Sequence, residues 1–223
     1  MEIVEFLATV PLLSGIGRDE LERFAEVTRE RDYPKGSVIV FEDDPGDSLF
    51  IVRDGRVKVV LVGEDGREVI LSVLGVGEHF GELSLIDGQP RSAHVIAMDD
   101  AKLLILRRDD FRRRVAESPA VAWAMLVELS RRLRRADEQI GSLVLLDVNG
   151  RVAHLLLRMA DDEGGDHITR KLTHHTIAQM IGSSRETVSR TMRNLVERGI
   201  IAVTRKDITL RDRRSLMLAA RRA

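Results

Sequence analysis

The sequence contains no cysteine. This absence excludes disulfides, thiolate zinc sites, iron–sulfur clusters and a cysteine nucleophile. The sequence also has no apolar run near the roughly 18 residues of a membrane span. Its acidic start, MEIVEFLATVPLLSG, lacks the basic stretch of a secretory signal. We therefore expect a cytoplasmic protein that has no membrane partner.

Net charge is almost absent as well, at -1 over 223 residues, but this balance hides an asymmetry. Residues 151–223 carry 15 basic and 8 acidic side chains, so their net charge is +7, whereas residues 1–150 carry -8. A basic segment on an acidic body is typical of a DNA-binding module attached to a sensor, because phosphate neutralisation supplies much of the affinity. Charge alone leaves a solvated basic face as the alternative.

Two sequence patterns, one helical and one typical of β-strands, occupy the first half of the chain. Residues 5–31 place Leu21, Phe24 and Ala25 at helical spacing. From residue 33 to residue 107, short β-type runs alternate with turn signals rich in Gly, Pro and Asp, which predicts an antiparallel sandwich or roll. The six runs are residues 37–41, 48–53, 56–62, 67–73, 92–97 and 102–107.

A long helix is predicted after Ser118-Pro119, because apolar residues then recur at alternating spacings of three and four. We expect this seam to form a homodimer interface, although a helix packed on its own β-domain is the alternative. The seam consists of Leu126, Leu129, Leu133, Ala136, Ile140 and Leu143. The segment 147–150 interrupts the helix. The predicted domains are therefore a β-roll at 1–117, a dimerisation helix at 118–147 and a DNA-binding domain at 148–223.

The most specific pattern lies in residues 172–201. Thr173 can cap a first helix that ends at Gly182, and Ser183 or Ser184 can cap a second helix. Two short helices around a glycine turn form a helix-turn-helix, whose second helix enters the major groove of DNA N-terminus first. Four residues on its outer face are candidates for contacts to DNA: Arg185, Glu186, Ser189 and Arg190. The residues at the helix starts, Thr173, Ser183 and Ser184, are expected to contact DNA as well. An ordinary helical hairpin is the alternative.

A small β-wing is predicted behind this motif. Residues 200–203 and 207–210 read as two strands that flank Arg205-Lys206, whose cations are placed for phosphate. The fold class is therefore α+β, with an N-terminal antiparallel β-roll, a long helix and a C-terminal winged helix-turn-helix.

The segment Ser184–Arg190, SRETVSR, resembles the recognition helix of the cAMP receptor protein / fumarate-nitrate regulator (CRP/FNR) family. The flanking stretches IAQMIG and NLVERGII resemble that family too, and the resemblance covers nearly the whole chain. It implies a winged helix that reads TGTGA-like half-sites in double-stranded DNA. It also implies that Arg185, Glu186 and Arg190 contact bases.

Residues 81–93, GELSLIDGQPRSA, resemble the same family's phosphate-binding cassette in its cyclic-nucleotide-binding jelly roll. Gly81 permits close approach of backbone N–H groups to a phosphate, and Arg91 offers a charge-assisted fork. Glu82 can accept a hydrogen bond from a ribose 2′-hydroxyl. The expected ligand-binding residues of this cassette are Gly81, Glu82, Leu83, Ser84, Arg91 and Ser92. A sheet connection with a structural glycine is the alternative.

The base end of this site is less defined. In cAMP-responsive members a Thr followed by Ser or Asn contacts the adenine, the second residue coming from the partner subunit. Here Ala136 and Asp137 stand at those positions. Asp137 can accept from the adenine amine or from the adjacent N–H groups of guanine. The resemblance therefore implies cAMP as the default effector, with cGMP, cyclic di-GMP or no ligand as alternatives.

Other side chains give weaker signals. His79 precedes the cassette and some family members ligate haem nearby, but one histidine without a second candidate ligand is poor support. His174 and His175 diverge by about 100° on a helix and make a poor metal pair. We expect no metal and no enzymatic activity.

The function expected from the sequence is ligand-controlled DNA binding by a homodimer. We expect ligand to extend or re-register the seam and to reorient the DNA-binding domains about Asp147–Gly150. The recognition helices then lie one helical turn apart, ~34 Å. RNA polymerase is an expected partner, although no motif identifies its contact. The alternatives are a ligand-independent regulator and a cyclic-nucleotide-binding subunit that acts on protein.

Overall fold

The computed structural model describes residues 2–170, 172–204 and 207–221. The chain divides into two compact units, residues 1–132 and 133–223, and the division falls inside one long helix. The three predicted domains, 1–117, 118–147 and 148–223, stay a prediction. No helix in the described part of the chain has the length and apolar content needed to span a bilayer.

The N-terminal unit begins with helices and continues as a β-roll. The helices α1 and α2 are Ile3–Leu7 and Arg18–Val27, and a short 3-10 turn at Pro11–Leu13 lies between them. The strands are β1 Arg29–Tyr33, β2 Val38–Val40, β3 Ser48–Asp54, β4 Val57–Val62, β5 Glu68–Leu74, β6 His79–Phe80, β7 His94–Ala97 and β8 Ala101–Arg107. Helix α3, Glu82–Asp87, lies between β6 and β7, and α4, Arg108–Glu117, follows β8.

These strands form two antiparallel four-stranded sheets, in the orders β1-β8-β3-β6 and β2-β7-β4-β5. The sequence prediction of an antiparallel roll is confirmed. Strand β3 is buried on both faces, which explains its nearly continuous apolar run. Phe50 and Val52 pack into the core that both sheets share, whereas Leu49 and Ile51 pack against the helices.

The sequence interpretation was wrong at residues 29–31. The sequence pattern of residues 5–31 was interpreted as helical, but β1 begins at Arg29 and pairs with β8. Four of the five β1 residues are charged and exposed because this is an edge strand, so the apolar alternation that indicates a strand is missing.

Helix α5, Pro119–Leu145, is the predicted long helix. Val121 and Met125 are buried in the helical core of the N-terminal unit, and Leu129 packs partly against that core. Leu126, Leu133 and Ile140, seven residues apart, are exposed in the single chain. The other large apolar side chains of α5 that are exposed are Trp123, Leu143, Val144 and Leu145.

The C-terminal unit packs around α6, Val148–Asp162, whose N-terminus is capped by the Asp147 carboxylate. Its other helices are α7 His174–Ile181, α8 Arg185–Glu197 and α9 Arg213–Ala219. A three-stranded antiparallel sheet contains β9 His167–Ile168, β10 Ile201–Val203 and β11 Ile208–Leu210 in the order β10-β11-β9. The predicted wing strands are therefore present. The predicted phosphate contacts Arg205 and Lys206 lie outside the described residues.

Candidate nucleotide and DNA sites

The turn into α3 has the backbone shape that the sequence predicts. Gly81 adopts φ 87°, where a side chain would be strained, and α3 begins at the next residue. A Cβ on Gly81 would lie 2.5 Å from Nη1 of Arg91 and 2.9 Å from the Ser48 carbonyl oxygen. Gly46 faces the same cradle, because a Cβ there would meet Ser84 Cβ at 2.2 Å. A side chain at either position would clash with its neighbours, so both residues must be glycine. The sequence did not indicate this role for Gly46, because the residues around it in the fold are distant in sequence.

Arg91 is buried beside this turn. Its Nη1 donates to the Gly81 carbonyl and its Nη2 to the Ser48 carbonyl, each at 2.8 Å. Burial lowers the pKa of Arg91, while the nearby carboxylates of Asp47 and Glu82 act in the opposite direction. A buried guanidinium remains a cation and favours an anionic partner, and it has five N–H donors. The position therefore fits a phosphate.

Glu82 is the other buried ion of the cassette. Its Oε1 accepts from Nη1 of Arg132 at 2.7 Å, and the side chain is 3% exposed. Its Oε2 is buried and has no hydrogen-bond partner among the described residues. Burial raises the pKa of Glu82, and Arg132 opposes this rise. An unpaired buried carboxylate oxygen fits a hydroxyl donor such as a ribose 2′-OH.

The remaining predicted ligand residues differ in exposure. Ser84 is buried, with its hydroxyl 3.3 Å from the Pro90 carbonyl oxygen, whereas Leu83 and Ser92 are exposed. Ala136 and Asp137 are exposed on α5, in the second unit. In the described residues, no group of three or more His, Asp or Glu side chains is arranged to hold a metal ion.

Arg132 was missed by sequence reasoning. Besides Glu82, it binds the His79 carbonyl oxygen through Nη2 at 2.6 Å and Glu128 through Nε at 3.2 Å. It stands in a run of arginines on α5, and spacing alone cannot separate it from Arg131, which is exposed. Its partner Glu82 lies 50 residues away.

The helix-turn-helix has the predicted caps. Thr173 Oγ1 accepts from the Thr176 backbone N–H at 3.0 Å, and Gly182 ends α7 with φ 61°. Of the two serines considered, Ser184 caps α8, because its Oγ accepts from the Thr187 N–H at 3.2 Å. Val188, Met192 and Leu195 are buried inward, as predicted. These caps fix where α8 begins.

The outward face of α8 is polar. Arg185, Glu186 and Arg190 are exposed, and Ser183 and Ser189 are half-buried. Hydrogen bonds from its own backbone N–H and from Ser184 lower the pKa of Glu186. The carboxylate is therefore ionised and acceptor-only, which suits the N4 amine of cytosine, while arginine suits guanine O6 and N7.

Comparison with known proteins agrees with this geometry. Residues 30–118 match the family model of the cyclic nucleotide-binding domain, and residues 150–219 match that of the Crp-like helix-turn-helix domain. The chain belongs to the CRP/FNR family. As a CRP/FNR protein it is a DNA-binding transcription regulator with a cyclic nucleotide-binding domain, and not an enzyme.

Similar CRP/FNR proteins match over most of their length. A CRP-like cAMP-activated global transcriptional regulator of Mycobacterium tuberculosis is 34% identical over 222 residues, covering 97% of this chain and 99% of the relative. The cyclic AMP receptor protein of Thermus thermophilus is 35% identical over 202 residues, or 91% and 93%. The structure of FixK2 from Bradyrhizobium japonicum is 26% identical with a TM-score of 0.78, covering 88% of this chain and 99% of that chain.

Loss of Arg132 is expected to destabilise the N-terminal unit of this CRP/FNR protein. Arg132→Met leaves the Glu82 carboxylate buried without its cation, so we expect urea unfolding at pH 7 to show a loss of about 2–4 kcal/mol. Glu82→Gln in the same background is expected to restore part of the loss. Arg131→Met, on the exposed neighbour, is the control and is expected to change stability by no more than about 0.5 kcal/mol. Equal losses of stability in Arg132→Met and Arg131→Met would contradict the importance of the Arg132–Glu82 pair.

Acid is expected to destabilise the same unit through His79. Burial, and then Arg132, lower the pKa of His79 from 6.5 to about 3. As the pH falls, His79 is protonated in the unfolded chain before it is protonated in the folded protein. The contribution of neutral His79 to the free energy of unfolding is therefore full above about pH 6.5 and is lost as the pH falls toward 3. From pH 7 to pH 5 we expect this group to account for about 2 kcal/mol in urea unfolding. His79→Leu is expected to lack this component, and an unchanged pH dependence in the variant would refute the assignment.

Proposed function

We propose that this CRP/FNR regulator is a homodimer that binds palindromic TGTGA-like sites under the control of a cyclic nucleotide. The observation that carries the proposal is the outer face of α8, where a Ser184 cap is followed by exposed Arg185, Glu186 and Arg190. These are the side chains with the hydrogen-bonding groups to read G·C pairs in the major groove. As a DNA-binding regulator it acts in the cytoplasm.

A second copy of the chain is the proposed partner along α5. The exposed Leu126, Leu133 and Ile140 give a heptad repeat that a single chain leaves open to water. The proposed seam, with Leu129, Ala136 and Leu143 beside them, is short, so the dimer depends on its flanking domains as well. Paired subunits present two recognition helices to a two-fold symmetric DNA site. RNA polymerase is the further partner that we propose.

The proposed effector is cAMP. The names of the two relatives, a cAMP-activated regulator and a cyclic AMP receptor protein, support this default. Arg91 and Glu82 provide the cation and the free acceptor that a cyclic phosphate and a ribose hydroxyl need. Ala136 lacks a side-chain donor or acceptor, and Asp137 suits the paired N–H groups of guanine. cGMP and cyclic di-GMP are therefore the alternatives.

Control requires two states of the dimer. Ligand at the cassette acts on α5, because Arg132 joins this helix to Glu82. A ligand can shift the balance only as far as it binds the DNA-competent state more tightly than the other. The expected result is DNA affinity that rises with ligand concentration.

Base reading is tested by substitution on α8. Arg185→Ala and Glu186→Ala each remove one contact to a base, so we expect affinity for a palindromic TGTGA-containing duplex to fall about 5- to 150-fold. Affinity for a scrambled duplex is expected to change much less. Fluorescence anisotropy at fixed salt measures both, and unchanged discrimination in both variants would exclude base reading by α8.

Ligand control is tested by calorimetric titration with cAMP, cGMP and cyclic di-GMP. We expect micromolar binding of one of them, and we expect Arg91→Ala to abolish both this binding and the ligand-dependent rise in DNA affinity. Binding of none, with full DNA affinity in Arg91→Ala, would support the ligand-independent regulator instead. Ser92→Ala, on the exposed neighbour, is expected to cost less than Arg91→Ala.

A further inference from the structure

The junction between α5 and α6 is held on several sides within the C-terminal unit. Helix α5 ends at Leu145, and Asp147 caps α6 by accepting the Gly150 N–H at 2.7 Å. A Cβ on Gly150 would meet the Ala219 carbonyl oxygen at 3.1 Å and Leu146 Cβ at 3.2 Å. The first turn of α6 is therefore packed against both α9 and the end of the long helix.

The same junction touches the turn of the helix-turn-helix. A Cβ built on Gly182 would lie 3.5 Å from Cδ2 of Leu143, which is ordinary van der Waals contact. Gly182 is the residue whose positive φ separates α7 from α8. The last turns of α5 therefore lie against the start of the DNA-reading segment.

A hydrogen bond ties the recognition helix itself to this junction. Thr191 Oγ1, on the inward face of α8, donates to Asn149 Oδ1 at 2.9 Å. Thr191 is 5% exposed, and Val188 and Met192 of the same helix are buried in a core that they share with α6. Asn149 is the second residue of α6.

The choice of partner by Thr191 is unusual for a hydroxyl in a helix. Such hydroxyls commonly bond to a carbonyl of their own helix three or four residues back. Two serines of α5 do so: Ser130 bonds to the Leu126 carbonyl at 2.8 Å and Ser142 to the Gln139 carbonyl at 2.9 Å. Thr191 instead donates across 42 residues to a side chain of another helix.

The interhelical hydrogen bond of Thr191 constrains the orientation of α8 relative to α6. A hydroxyl that bonds to its own helix places no constraint on a neighbouring helix. A hydroxyl that bonds between helices fixes how far α8 can rotate or slide against α6, because a hydrogen bond weakens steeply with distance and angle. Apolar contacts from Val188 and Met192 do not impose such directionality.

We propose that Asn149 and Thr191 are positioning residues for DNA reading. Their bond sets the orientation in which α8 presents Arg185, Glu186 and Arg190. The inference rests on the proposed reading of DNA by α8.

The test separates hydrogen bonding from packing. Thr191→Val keeps the side-chain shape and removes the hydroxyl, whereas Thr191→Ser keeps the hydroxyl. We expect Thr191→Val and Asn149→Ala each to lower affinity for the palindromic duplex about fivefold to tenfold. The double variant is expected to be no worse than either single variant, because both remove one bond. Thr191→Ser is expected to stay within about twofold of wild type.

A merely structural role is distinguished by the ratio of palindromic to scrambled affinity, measured well below the unfolding temperature of each variant. We expect this ratio to fall in Thr191→Val and Asn149→Ala. Asn194→Ala, on an exposed asparagine of the same helix, is the matched control and is expected to leave the ratio unchanged.

The outcomes are distinct. A wild-type protein that does not prefer the palindromic duplex overturns the proposed function and this inference together. A wild-type protein that prefers it, with the ratio retained in Thr191→Val and Asn149→Ala, overturns only the positioning role. Additive losses in the double variant also overturn it, since they show that the two side chains act separately.

Discussion

The ion pair between Arg132 and Glu82 joins the two parts of the N-terminal unit on which the proposed ligand control depends. Glu82 starts the short helix of the nucleotide cassette, and Arg132 belongs to the long helix α5. One carboxylate oxygen is held by the guanidinium, and the other is buried with no hydrogen-bond partner in the part of the chain that the structure describes. The pair therefore both satisfies part of a buried charge and leaves an acceptor for a ligand. Any ligand that engages the free oxygen acts on a group already bonded to α5.

Much of the fold could be predicted because its signals are local. The strands of the roll carry short β-type apolar runs, and turn residues separate them. The helix-turn-helix has its caps at Thr173 and Ser184 and its glycine at residue 182, all within twelve residues. Strand β1 was mistaken because it is charged and lies at a sheet edge, where alternation is not needed. Strands β6 and β9 have two residues each, too few to show any period.

The residues of the candidate sites were predictable only where they are close to one another in the sequence. The cassette is a continuous stretch, so Gly81, Glu82 and Arg91 could be chosen from residue type and resemblance. Gly46, Arg132 and Asn149 could not, because each acts on a residue many positions away, across 38, 50 and 42 residues respectively. Sequence spacing within a helix or strand carries no information about such pairs. They become visible only when the tertiary contacts are known.

Strand β3 has a consequence for how the N-terminal unit can lose its structure. Its side chains alternate between the core that the two sheets share and the core beneath the helices, so one backbone segment belongs to both layers. Peeling the helices away would uncover Leu49 and Ile51, and parting the sheets would uncover Phe50 and Val52. Because both layers bury the same strand, loss of either layer exposes half of its apolar side chains to water and weakens the other layer. We therefore expect the roll and its helical cover to unfold together.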